Sequence, residues 1–172
     1  MSQIYLSLGT NLGDRRQNLQ EAVRRLGAEM KVTAVSPVYE TEPWGETDQP
    51  QFLNICLAAT TTQEPRQLLT SLKQIEQDLG REESYRWGPR LIDIDIIFYD
   101  DVVVAEEGLN IPHARMAERV FVLAPLADIA PDRMDPTTGK TVVEMLNAIY
   151  RTDVYRQPDS LFTDREDWET NH

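Results

Sequence analysis

Apolar and polar positions alternate over residues 3–8: Ile4, Leu6 and Leu8 face one way, Tyr5 and Ser7 the other. This predicts a strand with one buried face. The period then lengthens. Leu19, Ala22, Val23 and Leu26 recur at helical spacing, and Gly27 is the expected stop. Between the two, Gly9-Thr10-Asn11-Leu12-Gly13-Asp14 reads as a tight turn, because the lysine and hydroxyl residue of a P-loop do not follow the second glycine. Residues 31–39 are β-prone, with Pro37 marking an edge or an end. A polar loop over 40–50 carries Trp44. Phe52 to Thr61 alternates again, with Leu53, Ile55, Leu57 and Ala59 on one face and Phe52, Asn54 and Cys56 on the other. Pro65 suits the first turn of a helix built on Leu68, Leu69, Leu72, Ile75 and Leu79 and closed by Gly80. Glu76 sits one residue past a core position, toward the following loop, Arg81 to Pro89. A strand runs from Arg90 to about Tyr99. Asp100-Asp101 then turns the chain into Val102-Val103-Val104, a short hairpin partner. Leu109 to His113 leads to a helix from about Met116, bent or ended by Pro125, and Thr141 to Tyr150 is a last amphipathic helix.

The order strand–helix–strand–strand–helix–strand is the split βαβ, ferredoxin-like plan, an α+β class. The expected sheet is mixed, with helices on one face and the other free for a site. A hairpin and two helices follow. One domain should cover 1–150, and 151–172 should be an acidic extension of it, not a separate domain.

Composition narrows the function. The 172 residues carry 29 Asp+Glu against 17 Lys+Arg, a formal charge of −12, which argues against nucleic-acid and anionic-membrane partners. The single cysteine, Cys56, cannot close a disulfide within the chain, so a reducing, cytoplasmic setting is expected. No apolar run approaches ~18 residues, and no signal peptide is apparent.

Chemistry concentrates in Arg86-Trp87-Gly88-Pro89-Arg90-Leu91-Ile92-Asp93-Ile94-Asp95-Ile96-Ile97-Phe98. Strict alternation sends Ile92, Ile94, Ile96 and Phe98 one way, and Leu91, Asp93, Asp95 and Ile97 the other. Asp93 and Asp95 then stand side by side, their β-carbons roughly 7 Å apart. A divalent cation turns their repulsion into attraction, and oxygen-only ligation points to Mg²⁺ or Mn²⁺. The other reading is a solvent face that happens to carry two aspartates, although aspartate is depleted in strands. Arg81, Arg86, Arg90, Arg115 and Arg119 cluster around this strand, each a phosphate clamp or a surface ion-pair partner. His113, at the mouth of a helix, is either a helix cap or core histidine or a phosphate contact; Trp87 is either a loop plug or a shield for a nucleotide. Phe52 and Asn54, on one face, either stack on and bond a flat heterocycle or line a half-buried sheet. No nucleophile with a paired base stands out, which favours a transfer needing only positioning, a metal and cationic clamps.

The chain resembles the 6-hydroxymethyl-7,8-dihydropterin pyrophosphokinases of folate biosynthesis from residue 4 to about 132. Five stretches carry the resemblance: Tyr5 to Asp14, Ser36 to Thr41, Gln49 to Asn54, Arg86 to Ile96, and Pro112 to Leu123. It implies transfer of pyrophosphate from ATP to the pterin hydroxymethyl oxygen, leaving AMP. Asp93 and Asp95 match the pair that holds two Mg²⁺ ions on the ATP phosphates. Arg81 and Arg90 match arginines that meet the transferring groups, and with Asp95 are the candidate catalytic residues. His113 and Arg119 match ATP-phosphate contacts, and Trp87 and Glu76 lie on the nucleotide side. Phe52 and Phe121 match rings that sandwich the pterin. Asn54 matches the amide that reads its edge, with Thr41 nearby. A monomer acting on these two small molecules is expected.

Overall fold

Strand β1, Ser2–Thr10, is the axis on which the other strands assemble. In this computed structural model, which describes residues 1–41, 51–80, 91–149 and 154–162, it is followed by α1 (Arg15–Glu29), β2 (Lys31–Val35), β3 (Tyr39–Thr41), β4 (Phe52–Thr61) and α2 (Pro65–Gly80). Next come β5 (Asp93–Tyr99), β6 (Val104–Glu106), β7 (Leu109–Ile111), a 3-10 turn at Met116–Glu118, α3 (Val120–Ile129), α4 (Val142–Asn147) and β8 (Val154–Arg156). The main sheet runs β5-β1-β4-β3-β8, with β2 also on β4. Each pairing in it is antiparallel, so the expected mixed sheet is corrected. The split βαβ order stands, because each helix lies between two strands that are not neighbours.

One face of the sheet meets α1 and α2. Ile4, Leu6, Leu8, Leu53, Ile55, Leu57, Ile94 and Ile96 pack there on Leu19, Val23, Leu26, Leu68, Leu72 and Ile75, all but fully buried. The other face is not free, as the strand–helix order suggested. Helices α3 and α4 cover one end of it through a second cluster: Cys56, Ile97, Phe98, Met116, Val122, Leu123, Leu126, Val142, Met145 and Leu146. The cause is apolar ground. At that end Tyr5, Cys56, Ile97 and Phe98 offer a surface for the apolar helix α3 and for the apolar side of α4. Toward the other end the same face carries Ser7, Gly9, Asn54, Asp93 and Asp95.

Phe98 belongs to this second cluster because β5 is bulged. Register passes from Leu6↔Ile96 to Tyr5↔Phe98, so Ile97 is an extra residue and the faces exchange beyond it. Phe98 therefore meets the ring of Tyr5 edge-on at 6.1 Å, opposite to the side that simple alternation assigned.

Other boundaries shift for local reasons. Gly9 and Thr10 remain in β1, and the turn begins after them. Gly27 faces the core inside α1; the helix ends at Glu29, where Met30 takes extended backbone and leads straight into β2. The β-prone stretch 31–39 breaks into β2 and β3 around Pro37. Val104 pairs with Ile111 in a separate two-stranded sheet, so 102–104 is not a hairpin partner of the acid strand. Pro125 is buried inside α3 and does not end it. Thr141 caps α4 with a reciprocal Thr141–Glu144 box. Of the acidic extension, 154–156 adds a strand beside β3, and Leu161 and Phe162 are buried in the main core. No helix among the described residues is long and apolar enough to cross a membrane.

Candidate functional site

Register across three strands builds the site. On β1, Gly9 lies opposite Asp93 of β5 on one side and Asn54 of β4 on the other; Asn54 in turn lies opposite Tyr39 of β3. One step along, Ser7 lies between Asp95 and Cys56. Residues paired across strands share a face, so the aspartates and the amide look out on the same side, two strands or roughly 10 Å apart. The gap between them is floored by Gly9 and Ser7.

Gly9 makes the amide half possible. A Cβ on it would stand 2.7 Å from Asn54 Oδ1, well inside contact distance. Asn54 Nδ2 donates to Thr41 Oγ1 at 3.2 Å, and both residues are buried. The amide is therefore held flat against β1, with its remaining donor and acceptor capacity available to an incoming ring edge.

On the other side, the Thr10 hydroxyl donates to the Leu91 carbonyl at 2.5 Å and fixes the approach to β5. Asp93 and Asp95 are half-buried on that strand. The His113 N–H donates to the Ile97 carbonyl at 3.1 Å, which sets the histidine beside the aspartates. Burial lowers its pKa from the ordinary value; Asp95 pulls it back up, and Arg119 and Arg115 push it down again. His113 Nδ1 accepts the Arg115 N–H at 3.2 Å, so the neutral ring carries its proton on Nε2 and can donate there to an oxyanion. Arg119, at the N-terminal end of α3, has its guanidinium 5.6 Å from the Phe121 ring centre. Phe121 is half-buried against the second cluster, and Phe52 is half-buried at the start of β4.

Glu76 stands apart from these groups. It is buried on α2, on the opposite side of the sheet, and pairs with Lys73 at 3.1 Å. Arg81, Arg86, Trp87 and Arg90 lie outside the described residues, as do the polar loop from 42 to 50 with Trp44 and the tail from 163. Among the described residues no three His, Cys, Asp or Glu side chains converge on a metal position. Two carboxylates with no third protein ligand fit a hard cation such as Mg²⁺, which takes its other oxygens from water and phosphate. A thiol or imidazole set, as zinc prefers, is not assembled there.

Sequence reasoning missed three contributors. Gly9 and Ser7 act through strand register, which a single sequence does not display. Arg15 Nη1 donates to Glu40 Oε2 at 3.0 Å and to the Gln51 carbonyl at 2.6 Å, beside Thr41 and Phe52. Its signal was in the sequence: two arginines in the first turn of a helix, where the backbone dipole disfavours cations.

Residues 5–131 match the sequence profile of the 7,8-dihydro-6-hydroxymethylpterin-pyrophosphokinase family. The 2-amino-4-hydroxy-6-hydroxymethyldihydropteridine pyrophosphokinase of Methylorubrum extorquens is 47% identical over 148 residues, which is 85% of this chain and 92% of that protein. The enzyme of the same description from Bacillus subtilis is 48% identical over 127 residues, 73% of this chain and 76% of the relative. Among solved structures, Plasmodium falciparum HPPK-DHPS wild type with STZ-DHP is similar with a TM-score of 0.70 at 18% identity. That match covers 86% of this chain but 43% of the Plasmodium chain, and it bears on fold alone.

Proposed function

The chain belongs to the 7,8-dihydro-6-hydroxymethylpterin-pyrophosphokinase family and transfers pyrophosphate from ATP to the hydroxymethyl oxygen of 6-hydroxymethyl-7,8-dihydropterin in folate biosynthesis; we propose that it does so with Mg²⁺ held on Asp93 and Asp95. The single observation behind this reading is the β5–β1–β4 register, which sets two carboxylates and a buried amide on either side of a floor made of Gly9 and Ser7.

In this reading Asn54, steadied by Thr41, reads the polar edge of the pterin, and Phe52 and Phe121 take its two faces. The hydroxymethyl group then points along the floor toward β5, where the triphosphate lies. Asp93 and Asp95 would hold two Mg²⁺ ions, which would supply positive charge to offset the negative charge accumulating as the pyrophosphoryl group moves. Arg119 and the Nε2–H of neutral His113 hold phosphate oxygens, and Arg81 and Arg90 meet the transferring group. Trp87 serves the nucleotide side; Glu76, buried against Lys73 on α2, is not assigned to it. The hydroxyl oxygen attacks the β-phosphorus in line, the bond from that phosphorus to the bridging α,β oxygen breaks, AMP leaves with that oxygen, and the hydroxyl proton passes to solvent. Fixed donors aimed at the moving charge lower the barrier, because they need not reorganise during the step. We further place the protein in the cytoplasm as a monomer, with no nucleic-acid or membrane partner, in keeping with its charge of −12 and its single buried cysteine.

Quantifying nucleotide products tests the reading. With ATP, 6-hydroxymethyl-7,8-dihydropterin and Mg²⁺, AMP and the pterin diphosphate should appear in equal amounts. Chelation of the metal should stop both. ADP in place of AMP, or turnover unaffected by chelation, would overturn it.

A further inference from the structure

Arg15 and Arg16 occupy the first turn of α1, the end of a helix where a cation is disfavoured. Each is engaged elsewhere. Arg15 bonds Glu40, the neighbour of Thr41 at the end of β3, and the carbonyl of Gln51, the neighbour of Phe52 at the start of β4. One guanidinium thus joins the points where the chain leaves the sheet and returns to it. Arg16 Nη1 donates to Gln157 Oε1 at 2.6 Å, and its Nη2 donates to the carbonyls of Ser160 at 2.6 Å and Asp159 at 3.4 Å. The Gln157 N–H donates to the Val38 carbonyl at 2.8 Å. Just before it, β8 pairs along β3 in the register Tyr39↔Arg156, Glu40↔Tyr155, Thr41↔Val154. Strand β3 has only three residues, too few to hold a position alone. It is fixed by β4 on one edge, by β8 on the other and by Arg15 at its exit. Thr41 is its last residue, and the Thr41 hydroxyl orients the Asn54 amide.

We propose that Arg15 is a positioning residue for the acceptor pocket, setting pterin affinity through Glu40 and Gln51, and that Arg16 with the 154–162 segment braces the same strand from outside. This rests on the reading of Thr41 and Asn54 as pterin contacts. Arg15 and Glu40 are half-buried with part of each side chain still in water, where a single ion pair adds little to stability by itself, so the main effect belongs to local geometry.

Steady-state kinetics with each substrate varied in turn test this. Arg15→Met should raise the pterin KM about tenfold while moving the ATP KM less than about twofold. Glu40→Gln, which keeps the packing and weakens the same contact, should move the pterin KM in the same direction by less. Arg15→Lys, which retains a charged donor, should recover part of the loss. Arg16→Met should act in the same direction. Equal rises in both KM values, or an unchanged pterin KM in Arg15→Met, would overturn the proposal. Asn54→Ala in the same assay separates the two levels. If it raises the pterin KM while Arg15→Met does not, only the clamp fails. If it leaves the pterin KM unchanged, the pocket assignment fails and the clamp with it.

Discussion

At Gly9 a hydrogen in place of a side chain decides where Asn54 lies. Gly9→Ala would put a methyl 2.7 Å from Asn54 Oδ1, and the amide cannot simply swing away while Thr41 accepts its Nδ2–H. The expected outcome is a pterin KM raised at least about tenfold with little change for ATP, checked by varying each substrate separately. Asp95→Asn is the complementary change, since it keeps shape and removes charge. Turnover should fall by about 10²-fold or more, with the thermal midpoint preserved because one carboxylate of a repelling pair is neutralised. A variant with near-normal rate would refute the metal assignment. The aspartates were legible in the sequence, because alternation alone puts Asp93 and Asp95 on one face, and Asn54 followed from the same argument on β4. Gly9 was read as part of a turn. Its role depends on which strand lies beside which, and residues 45 positions apart in the chain acquire that relation only through the sheet.

Among the elements, β4 and α2 matched their predicted limits, Phe52 to Thr61 and Pro65 to Gly80, because strong punctuation coincides with a clear period. Strand β5 was legible as far as Ile96. Beyond it the bulge at Ile97 exchanges the faces, and nothing in a run of apolar residues distinguishes a bulge from regular alternation. Both helices on the second face were recognised, α4 as amphipathic and α3 by its apolar positions, yet the face they cover was expected to be free. Which surface an amphipathic helix chooses is a tertiary decision. The C-terminal segment was the least legible, for its scattered apolar residues, Leu161 and Phe162 among them, show no period. Both are nonetheless in the core, and the Arg24 guanidinium lies 5.8 Å from the Phe162 ring centre. Phe162→Ala should therefore cost about 3–5 kcal/mol of unfolding free energy, read as a lower urea midpoint. A loss no larger than that of an exposed substitution would mean the segment is only loosely attached.

For the whole molecule, stability should fall at alkaline pH. Burial pushes the Cys56 thiol far above its ordinary pKa, with a hydrogen bond to Ser7 pulling slightly the other way. The folded chain keeps this proton, whereas the unfolded chain loses it near pH ~8.5. The contribution is thus complete below that pH and declines steadily above it. Urea midpoints at neutral and alkaline pH should diverge, and Cys56→Ala should narrow the difference. The charge of −12 keeps copies of the chain apart over most of the surface. Strand β5 is a place where such repulsion must act locally, because it ends the described sheet and no described strand lies outside it. An unpaired row of backbone groups invites a second copy to dock edge to edge, and charged side chains on the end strand discourage this. Asp93 and Asp95 are such side chains, so the proposed metal ligands should also help to keep copies of the chain apart. Neutralising both should raise light scattering at neutral pH, whereas a monodisperse double variant would assign that protection elsewhere. On the proposed reading, one pair of carboxylates would then serve both turnover and solubility.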